Sequence, residues 1–240
     1  MTHDWLHRER MLFGDEAVAR LSGKTVLLFG VGGVGSYALE AVVRAGVGSV
    51  AIVDNDTVSI TNINRQLIAD TTTVGRLKTE VAAERAQAIN PAIRVTRYDV
   101  FADGDNIPTI IAETRPDYII DAIDTVSSKI SIIASAKECD IPIISSMGTG
   151  SKLDPTRFKI TDITKTHTCP LAKVMRIKLR EMGIAHCEVL FSDEPPIKAV
   201  CASELDEKST RHVPGSISFV PSVAGLIIGG HVVKVLAGIE

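Results

Sequence analysis

The fold of this 240-residue chain is decided by Lys24-Thr25-Val26-Leu27-Leu28-Phe29-Gly30-Val31-Gly32-Gly33-Val34-Gly35. The first six residues form a short, mostly apolar run, which is typical of a buried parallel strand. The run breaks at Gly30, and Ser36 to Ala45 then has the composition of a helix that packs on a sheet. Glycines let the backbone turn sharply and approach an anion, and a helix N-terminus offers unpaired N–H groups. The stretch predicts a strand, a phosphate-binding turn and a helix, although a tight turn without a ligand would use the same glycines.

Acidic residues follow the second predicted strand. Ser49 to Val53 is a short apolar run that ends in Asp54, and an acid at this point commonly accepts hydrogen bonds from a ribose. Both NAD and ATP carry that sugar, so Asp54 does not separate a dehydrogenase from an enzyme that uses ATP. Asp56 is open to three interpretations: a second ribose contact, a turn residue or a helix cap.

Two basic residues after the glycine turn distinguish an enzyme that uses ATP from a dehydrogenase. Arg65 lies in the polar stretch 61–66, where Asn62 and Gln66 are further candidate nucleotide contacts, and Lys78 follows thirteen residues after Arg65 at the start of a predicted helix. A lone lysine on a protein surface is usually only solvated. A lysine and an arginine are nevertheless complementary groups for a triphosphate that accumulates charge in the transition state. A dinucleotide site has no obvious use for them, so their order favours an enzyme that handles ATP.

Asp124 ends the run 117–124, which we interpret as the fourth strand. Ligands of open α/β sheets bind outside the carboxyl ends of the strands. A carboxylate at that edge can hold Mg²⁺, a cation that takes oxygen ligands and bridges phosphates. Asp124 could also cap a helix that begins near Val126, and the two roles are compatible.

The order of predicted elements indicates the fold class. Residues 34–145 alternate strands and helices, which predicts an α/β, Rossmann-like, doubly wound and mostly parallel sheet. Additional strands are predicted near 158–163 and 188–191, with a helix near 171–181 between them. We expect one domain over 1–240, with an ATP-binding half (20–150) and a substrate-side half (151–240). The charged stretch 198–214, with His212, has the composition of a mobile loop that could cover the substrate.

Composition bounds the location of the protein and the way in which it could bind RNA. The chain is 45% hydrophobic with a net charge of −3, so a globally basic character cannot be the basis of RNA binding. The apolar run 221–239 is at the lower end of membrane-spanning length, and we expect it to be a closing helix in the core, not a membrane span. The four cysteines lack a C-x-x-C pair, so no zinc site is predicted, and together with the lack of a signal peptide they indicate a reducing cytoplasm.

These motifs, in this order, resemble the adenylating domain of the ubiquitin-activating-enzyme superfamily, which includes the adenylyltransferases of molybdopterin and thiamine synthesis. The resemblance implies ATP and Mg²⁺ as cofactors and Arg65, Lys78 and Asp124 as catalytic residues, with Asp124 as the metal ligand. The implied nucleotide contacts are Gly30, Gly32, Gly33, Gly35, Asp54, Asp56, Asn62, Arg65, Gln66, Lys78, Asp124 and Thr125. Many members have asparagine at the place of Thr125. The resemblance also implies a homodimer, because Arg8 matches an N-terminal arginine that reaches the partner's ATP; Arg10 matches that role less well.

The second half of the chain is similar to one subgroup of that superfamily, the tRNA threonylcarbamoyladenosine dehydratases. The similarity lies in residues 149–158, 169–176, 191–196 and 214–225. It implies that the substrate is tRNA carrying threonylcarbamoyladenosine, which would be dehydrated to a cyclic form through an acyl-adenylate. It also leaves open a sulphur-relay protein as a partner. Cys169 and Cys201 lie where larger relatives place a thioester-forming cysteine, but ordinary thiols are the simpler interpretation, and Cys139 is interpreted as structural.

The charge distribution adds a candidate RNA surface. Residues 151–180 hold eight lysines and arginines against two aspartates, a net of +6. Lys173, Arg176 and Arg180 share one face of the predicted helix at three- and four-residue spacing, so we predict phosphate contacts there. A solvated face is the alternative.

Two other functions remain open from sequence. A carrier-protein adenylyltransferase would activate a C-terminal glycine, but the absent zinc pairs and the basic helix argue against it. An NAD-binding dehydrogenase or a regulatory Rossmann module would leave Arg65, Lys78 and Arg8 without a role.

Overall fold

Seven strands form one sheet in the computed structural model, which describes residues 4–198, 200 and 214–239. The strands are β1 (Thr25–Phe29), β2 (Ser49–Val53), β3 (Arg94–Tyr98), β4 (Tyr118–Asp121), β5 (Ile143–Ser146), β6 (Phe158–Asp162) and β7 (Glu188–Ser192). Their order across the sheet is β3-β2-β1-β4-β5-β7-β6. All neighbours are parallel except β6, which runs antiparallel to β7 at the edge.

Eight α-helices surround this sheet in the part of the chain that the structure describes. They are α1 (His7–Phe13), α2 (Asp15–Ser22), α3 (Gly35–Arg44), α4 (Lys78–Ile89), α5 (Ile107–Thr114), α6 (Val126–Glu138), α7 (Pro170–Glu181) and α8 (Phe219–Ala237). Short 3₁₀ turns occur at Ile60–Asn62, Pro155–Arg157 and Ile163–Lys165. The predicted α/β doubly wound fold, with its additional strands and closing helix, is confirmed.

The sheet separates two apolar cores. In β1, Val26 and Leu28 join one core, while Leu27 and Phe29 join the other. Successive side chains of a strand point to opposite faces, so a strand covered by helices on both sides must be apolar throughout. This explains why polar and apolar residues do not alternate along Val26-Leu27-Leu28-Phe29.

The C-terminal helix α8 packs closely on α3. A Cβ at Gly225 would lie 2.2 Å from the Val34 carbonyl oxygen, and one at Gly229 would lie 2.5 Å from the Ala41 Cβ. Glycine at both positions lets the helix backbones approach each other. By length and composition α8 could also cross a membrane (mean hydropathy 1.8), and half of its most apolar window is buried inside the protein.

Two sequence expectations need correction. The fourth strand ends at Asp121, not at Asp124, because the Asp121 carboxylate accepts a hydrogen bond from the Ile123 N–H and the chain turns there. Asp124 therefore lies in the following loop, and Thr125, not Asp124, precedes α6 as its N-cap residue. Most of the stretch 198–214, which includes Cys201 and His212, lies outside the described residues.

Candidate functional site

A cavity of about 750 Å³ opens at the carboxyl edge of the parallel strands. It lies among the loops that follow β1, β2, β4 and β5, where ligands of open α/β sheets bind. Eleven of the predicted nucleotide contacts line it. They are Gly30, Gly32, Gly33, Asp54, Asp56, Asn62, Arg65, Gln66, Lys78, Asp124 and Thr125.

The glycine turn forms the floor of this cavity. Gly30 has φ +88°, a left-handed conformation that favours glycine, and a Cβ there would lie 2.8 Å from Ile123 Cγ2. Gly35, another predicted contact, is not among the residues that line the cavity. A Cβ at Gly35 would lie 1.9 Å from the Gly30 carbonyl oxygen, so this glycine closes the turn beneath the site.

Asp54 connects the end of β2 to the glycine turn. Its carboxylate accepts hydrogen bonds from the N–H groups of Val31 (2.7 Å) and Asp56 (2.9 Å). Burial raises the pKa of Asp54, and the charge of Lys78 opposes that rise. The acid is therefore held in place by the backbone while it borders the cavity.

Lys78 and Asp56 form an ion pair in the cavity wall. The Nζ of Lys78 lies 2.7 Å from Oδ2 of Asp56, and the two side chains are 7% and 60% exposed. Lys78 is the first residue of α4, and its backbone N–H also donates to the Asp56 carbonyl, at 3.0 Å. Asp56 thus has a role that sequence analysis did not include: it orients the lysine at the site.

Arg65 and Gln66 bring unused polar groups to the same wall. The Arg65 guanidinium donates to the Thr61 carbonyl (2.8 Å) and to Asn64 Oδ1 (3.0 Å), and it has no ion-pair partner among the residues described. Burial lowers its pKa. The buried Oε1 of Gln66 has no hydrogen-bond partner in the described chain. Asn62 is already engaged, since its side-chain carbonyl accepts from the Ser59 N–H at 3.0 Å.

Asp124 is exposed at the mouth of the cavity. It forms no hydrogen bond or ion pair within the described ranges, so its carboxylate oxygens are available to a cation. No group of three or more His, Cys, Asp or Glu side chains that could hold a metal occurs in those ranges. A Mg²⁺ ion fits Asp124 as its single carboxylate, because this cation usually takes one or two carboxylates and fills its shell with phosphate oxygens and water.

A closed ion pair, which sequence analysis missed, supports this loop from below. Lys129 Nζ lies 2.8 Å from Asp121 Oδ2, and both side chains are fully buried. The same lysine donates to the Ile123 carbonyl (3.1 Å), and Ser145 Oγ donates to Asp121 (2.6 Å). The signal in the sequence was an aspartate at the end of β4, a strand that is otherwise apolar.

The predicted RNA-binding residues lie on α7, and their environments differ. Lys173 and Arg180 are exposed. Arg176 is half-buried and donates to the carbonyl and hydroxyl oxygens of Thr166 (2.8 and 2.6 Å), so part of its guanidinium serves the fold. Two other basic residues of the +6 region are also engaged, because Arg157 and Lys159 both pair with Asp193 at 2.6 Å.

Arg8 and the cysteines complete the predicted set. Arg8 is exposed on α1 and is not one of the residues that line the cavity. Cys139 is exposed, whereas Cys169 is buried and reaches the cavity just before α7. Cys187 is buried, which raises the pKa of its thiol to about 12.

The fold and this arrangement define a class of α/β proteins with a glycine turn after the first strand, an acid after the second strand and basic side chains in the cavity wall. The sequence model of the ThiF family matches residues 6–240, and the chain belongs to that family. It is 46% identical to a tRNA threonylcarbamoyladenosine dehydratase of Bacillus subtilis over 234 residues, which cover 94% of this chain and 92% of the relative. The resemblance predicted from the motifs is confirmed.

Solved structures agree with this relationship. The Escherichia coli tRNA N6-threonylcarbamoyladenosine dehydratase in complex with AMP superposes with a TM-score of 0.87 at 33% identity. The same enzyme in complex with ATP superposes with a TM-score of 0.85 at 32% identity. Each match covers 95% of this chain and 92% of the solved chain.

Proposed function

We propose that this protein is an ATP-dependent tRNA threonylcarbamoyladenosine dehydratase, which dehydrates the modified adenosine next to the anticodon. The observation that carries the proposal is the cavity itself, in which the glycine turn, Arg65, Lys78 and Asp124 meet at one sheet edge. Relatives named for this activity match 94% of the chain, and we assign residues 20–150 to ATP and residues 151–240 to the substrate.

The first step activates a poor leaving group. A carboxylate oxygen of the threonylcarbamoyl group attacks the α-phosphate of ATP, and the bond to pyrophosphate breaks, which leaves an acyl-adenylate. Lys78 and Arg65 stabilise the charge that develops on the phosphates. Mg²⁺ held by Asp124 would supply further charge neutralisation when bound.

The second step closes a ring. The ureido group attacks the activated acyl carbon and loses a proton, and AMP leaves with the former carboxylate oxygen. Both groups belong to one nucleoside, so the reaction is intramolecular and needs no enzyme thiol. This agrees with Cys169 acting as an ordinary buried thiol. The net change in the nucleoside is the loss of one water.

The active unit in this proposal is a homodimer. Arg8 is exposed on α1 and does not line the cavity of its own chain, which is compatible with a role at the ATP site of the partner. Mixing an Arg8→Ala chain with a Lys78→Ala chain should restore one working site in each heterodimer. If no mixture exceeds the two parents after subunit exchange has been demonstrated, the shared site is wrong.

The remaining partners follow from the same assignment. A tRNA substrate supports a cytoplasmic location. The close packing of α8 on α3 supports a helix that belongs to the core. Lys173 and Arg180 on α7 are the proposed phosphate contacts, with Arg176 anchored between them. A sulphur-relay protein remains a prediction from the resemblance.

Mass spectrometry of the nucleoside tests the proposal. tRNA carrying threonylcarbamoyladenosine, incubated with enzyme, ATP and Mg²⁺ under mild conditions, should yield a nucleoside lighter by one water, together with AMP and pyrophosphate. The Lys78→Ala variant is the matched control and should leave the mass unchanged. If the wild-type enzyme leaves the nucleoside unchanged but adenylates the C-terminus of a ubiquitin-like sulphur carrier, the adenylyltransferase alternative is correct.

A further inference from the structure

Lys152 is a buried lysine that the steps above do not use. Its side chain lines the cavity on the loop after β5, and the residue is 5% exposed. Its Nζ donates one hydrogen bond, to the Glu194 carbonyl at 2.6 Å. It forms no ion pair with any carboxylate of residues 4–198, 200 or 214–239.

The nearest acid is already engaged. The Glu194 carboxylate accepts hydrogen bonds from the N–H groups of Leu153 (3.0 and 3.2 Å) and Asp154 (3.0 Å). An ammonium group has three donors, so Lys152 keeps two for a ligand. A buried charge without a direct ion-pair partner is unfavourable. Burial lowers the pKa of Lys152, and the charges of Glu194 and Asp193 oppose that shift only in part. An anion in the cavity would supply the missing partner.

The loop that carries Lys152 is held rigidly. Ser151 has φ +56°, which is uncommon for a residue other than glycine. Its N–H donates to the Gly215 carbonyl and its carbonyl accepts from the Ile197 N–H, both at 2.8 Å. Residues held in sparsely populated backbone regions by their surroundings occur often at ligand sites.

The strand order places Lys152 away from the ribose-binding acid. Asp54 follows β2 and Lys152 follows β5, three strand spacings apart in the order β2-β1-β4-β5. At about 4.8 Å per spacing the separation across the sheet is about 14 Å. The glycine turn and Asp124 lie between them. The first turn of α7, with Pro170 and Leu171, lines the Lys152 end, where the positive end of the helix dipole also favours an anion.

We propose that Lys152 binds the carboxylate of the acyl substrate and aligns it for attack on the α-phosphate. This role rests on the proposed function, because it requires a carboxylic acid substrate beside ATP. It makes Lys152 a substrate-binding residue that is separate from Lys78 and Arg65.

The test compares two RNA ligands. One is an anticodon stem-loop carrying threonylcarbamoyladenosine, and the other has the threonine carboxylate replaced by a carboxamide. The wild-type enzyme should bind the carboxylate form more tightly, by roughly tenfold or more, as expected for a hydrogen bond to a charged group. Lys152→Met should abolish that preference, Lys152→Arg should retain much of it, and both variants should keep wild-type affinity for ATP.

Glu194→Gln is the matched control for a purely structural role. It weakens the support of the same loop but leaves the ammonium in place, so it should keep the preference for the carboxylate. A preference that survives in folded Lys152→Met overturns the assignment. Equal binding of the two RNAs by the wild-type enzyme also overturns it, even if the variant does not fold. A wild-type enzyme that removes no water from the carboxylate RNA in the presence of ATP refutes the proposed function instead.

Discussion

Two lysine–aspartate pairs, one beneath the cavity and one in its wall, have almost equal N–O distances, but their surroundings differ. Lys129 and Asp121 are 2.8 Å apart and fully buried, with Ser145 and the Ile123 carbonyl completing their hydrogen bonds. Lys78 and Asp56 are 2.7 Å apart, and the aspartate is 60% exposed. The closed pair is satisfied entirely by protein, whereas the open pair can exchange its contacts for a ligand. Similar ion pairs therefore support the fold in one place and, in the proposed function, take part in the chemistry in the other.

The largest expected effect comes from breaking the closed pair. Lys129→Met should lower the free energy of unfolding by about 3–5 kcal/mol, because it leaves a buried carboxylate without its partner. Urea denaturation measures this. Replacing both partners, as in Asp121→Leu with Lys129→Met, should cost less than the single change. A Lys129→Met protein of wild-type stability would show that the pair does not support the fold.

Removing a charged group from the cavity should leave the fold intact and greatly reduce activity. Lys78→Ala and Asp124→Ala should each slow pyrophosphate release by about 10²–10³-fold, since each group stabilises charge on the triphosphate. Their unfolding curves should stay close to that of the wild-type protein. Wild-type rates in both variants would contradict the site assignment.

A smaller effect is expected on the outer surface, where charges have no fixed partner. Charge reversal at Lys173 and Arg180 should weaken tRNA binding without changing ATP binding. It should also reduce the slope of log affinity against log salt by about one for each phosphate that the protein no longer neutralises. Reversal of the exposed Lys234 on α8, across the sheet from α7, is the control. An unchanged affinity and slope would assign the α7 residues to a solvated face.

The smallest effect is expected for Glu9, whose carboxyl group forms neither a closed nor an open ion pair with the described residues. Its buried Oε1 has no hydrogen-bond partner in the described chain, and burial raises its pKa from 4.5 to about 7. Between these values the folded state keeps a proton that the unfolded state loses, so stability falls as the pH rises through this window. Glu9→Gln removes that loss. Its Tm should exceed that of the wild-type protein by about 2 °C at pH 8, and the difference should vanish below pH 4.5. A gain that is independent of pH would exclude titration of Glu9 as its cause.

The parts of the site that the sequence predicts are those encoded locally. The glycine turn, the acid that ends β2 and the lysine that starts α4 each sit next to an element boundary that periodicity can locate. Asp124 could be predicted as a site residue because it follows an apolar strand. The strand ends earlier than predicted, at Asp121, so Asp124 lies in the loop. The chemistry of these positions could be inferred because their residue types are those that phosphates and cations require.

The parts that the sequence does not predict depend on non-local pairing. Asp56 and Lys78 are 22 residues apart, and their contact follows from the way in which the intervening loop folds back. Lys152 reaches the cavity because β7 pairs with β5 and carries Glu194 beside it. Charge counting placed Lys152, Arg157 and Lys159 in one basic region, whereas the fold buries the first and pairs the other two with Asp193.

The close crossing of α8 on α3 has a consequence for synthesis of the chain. Among the described elements α8 is the last to leave the ribosome, yet it covers the helix that begins at the phosphate turn near the start. Until then Ala38 and Val42, which are buried in the core that α8 completes, have no cover from this helix. A nascent chain that already holds every described strand thus still exposes an apolar surface beside the future nucleotide site.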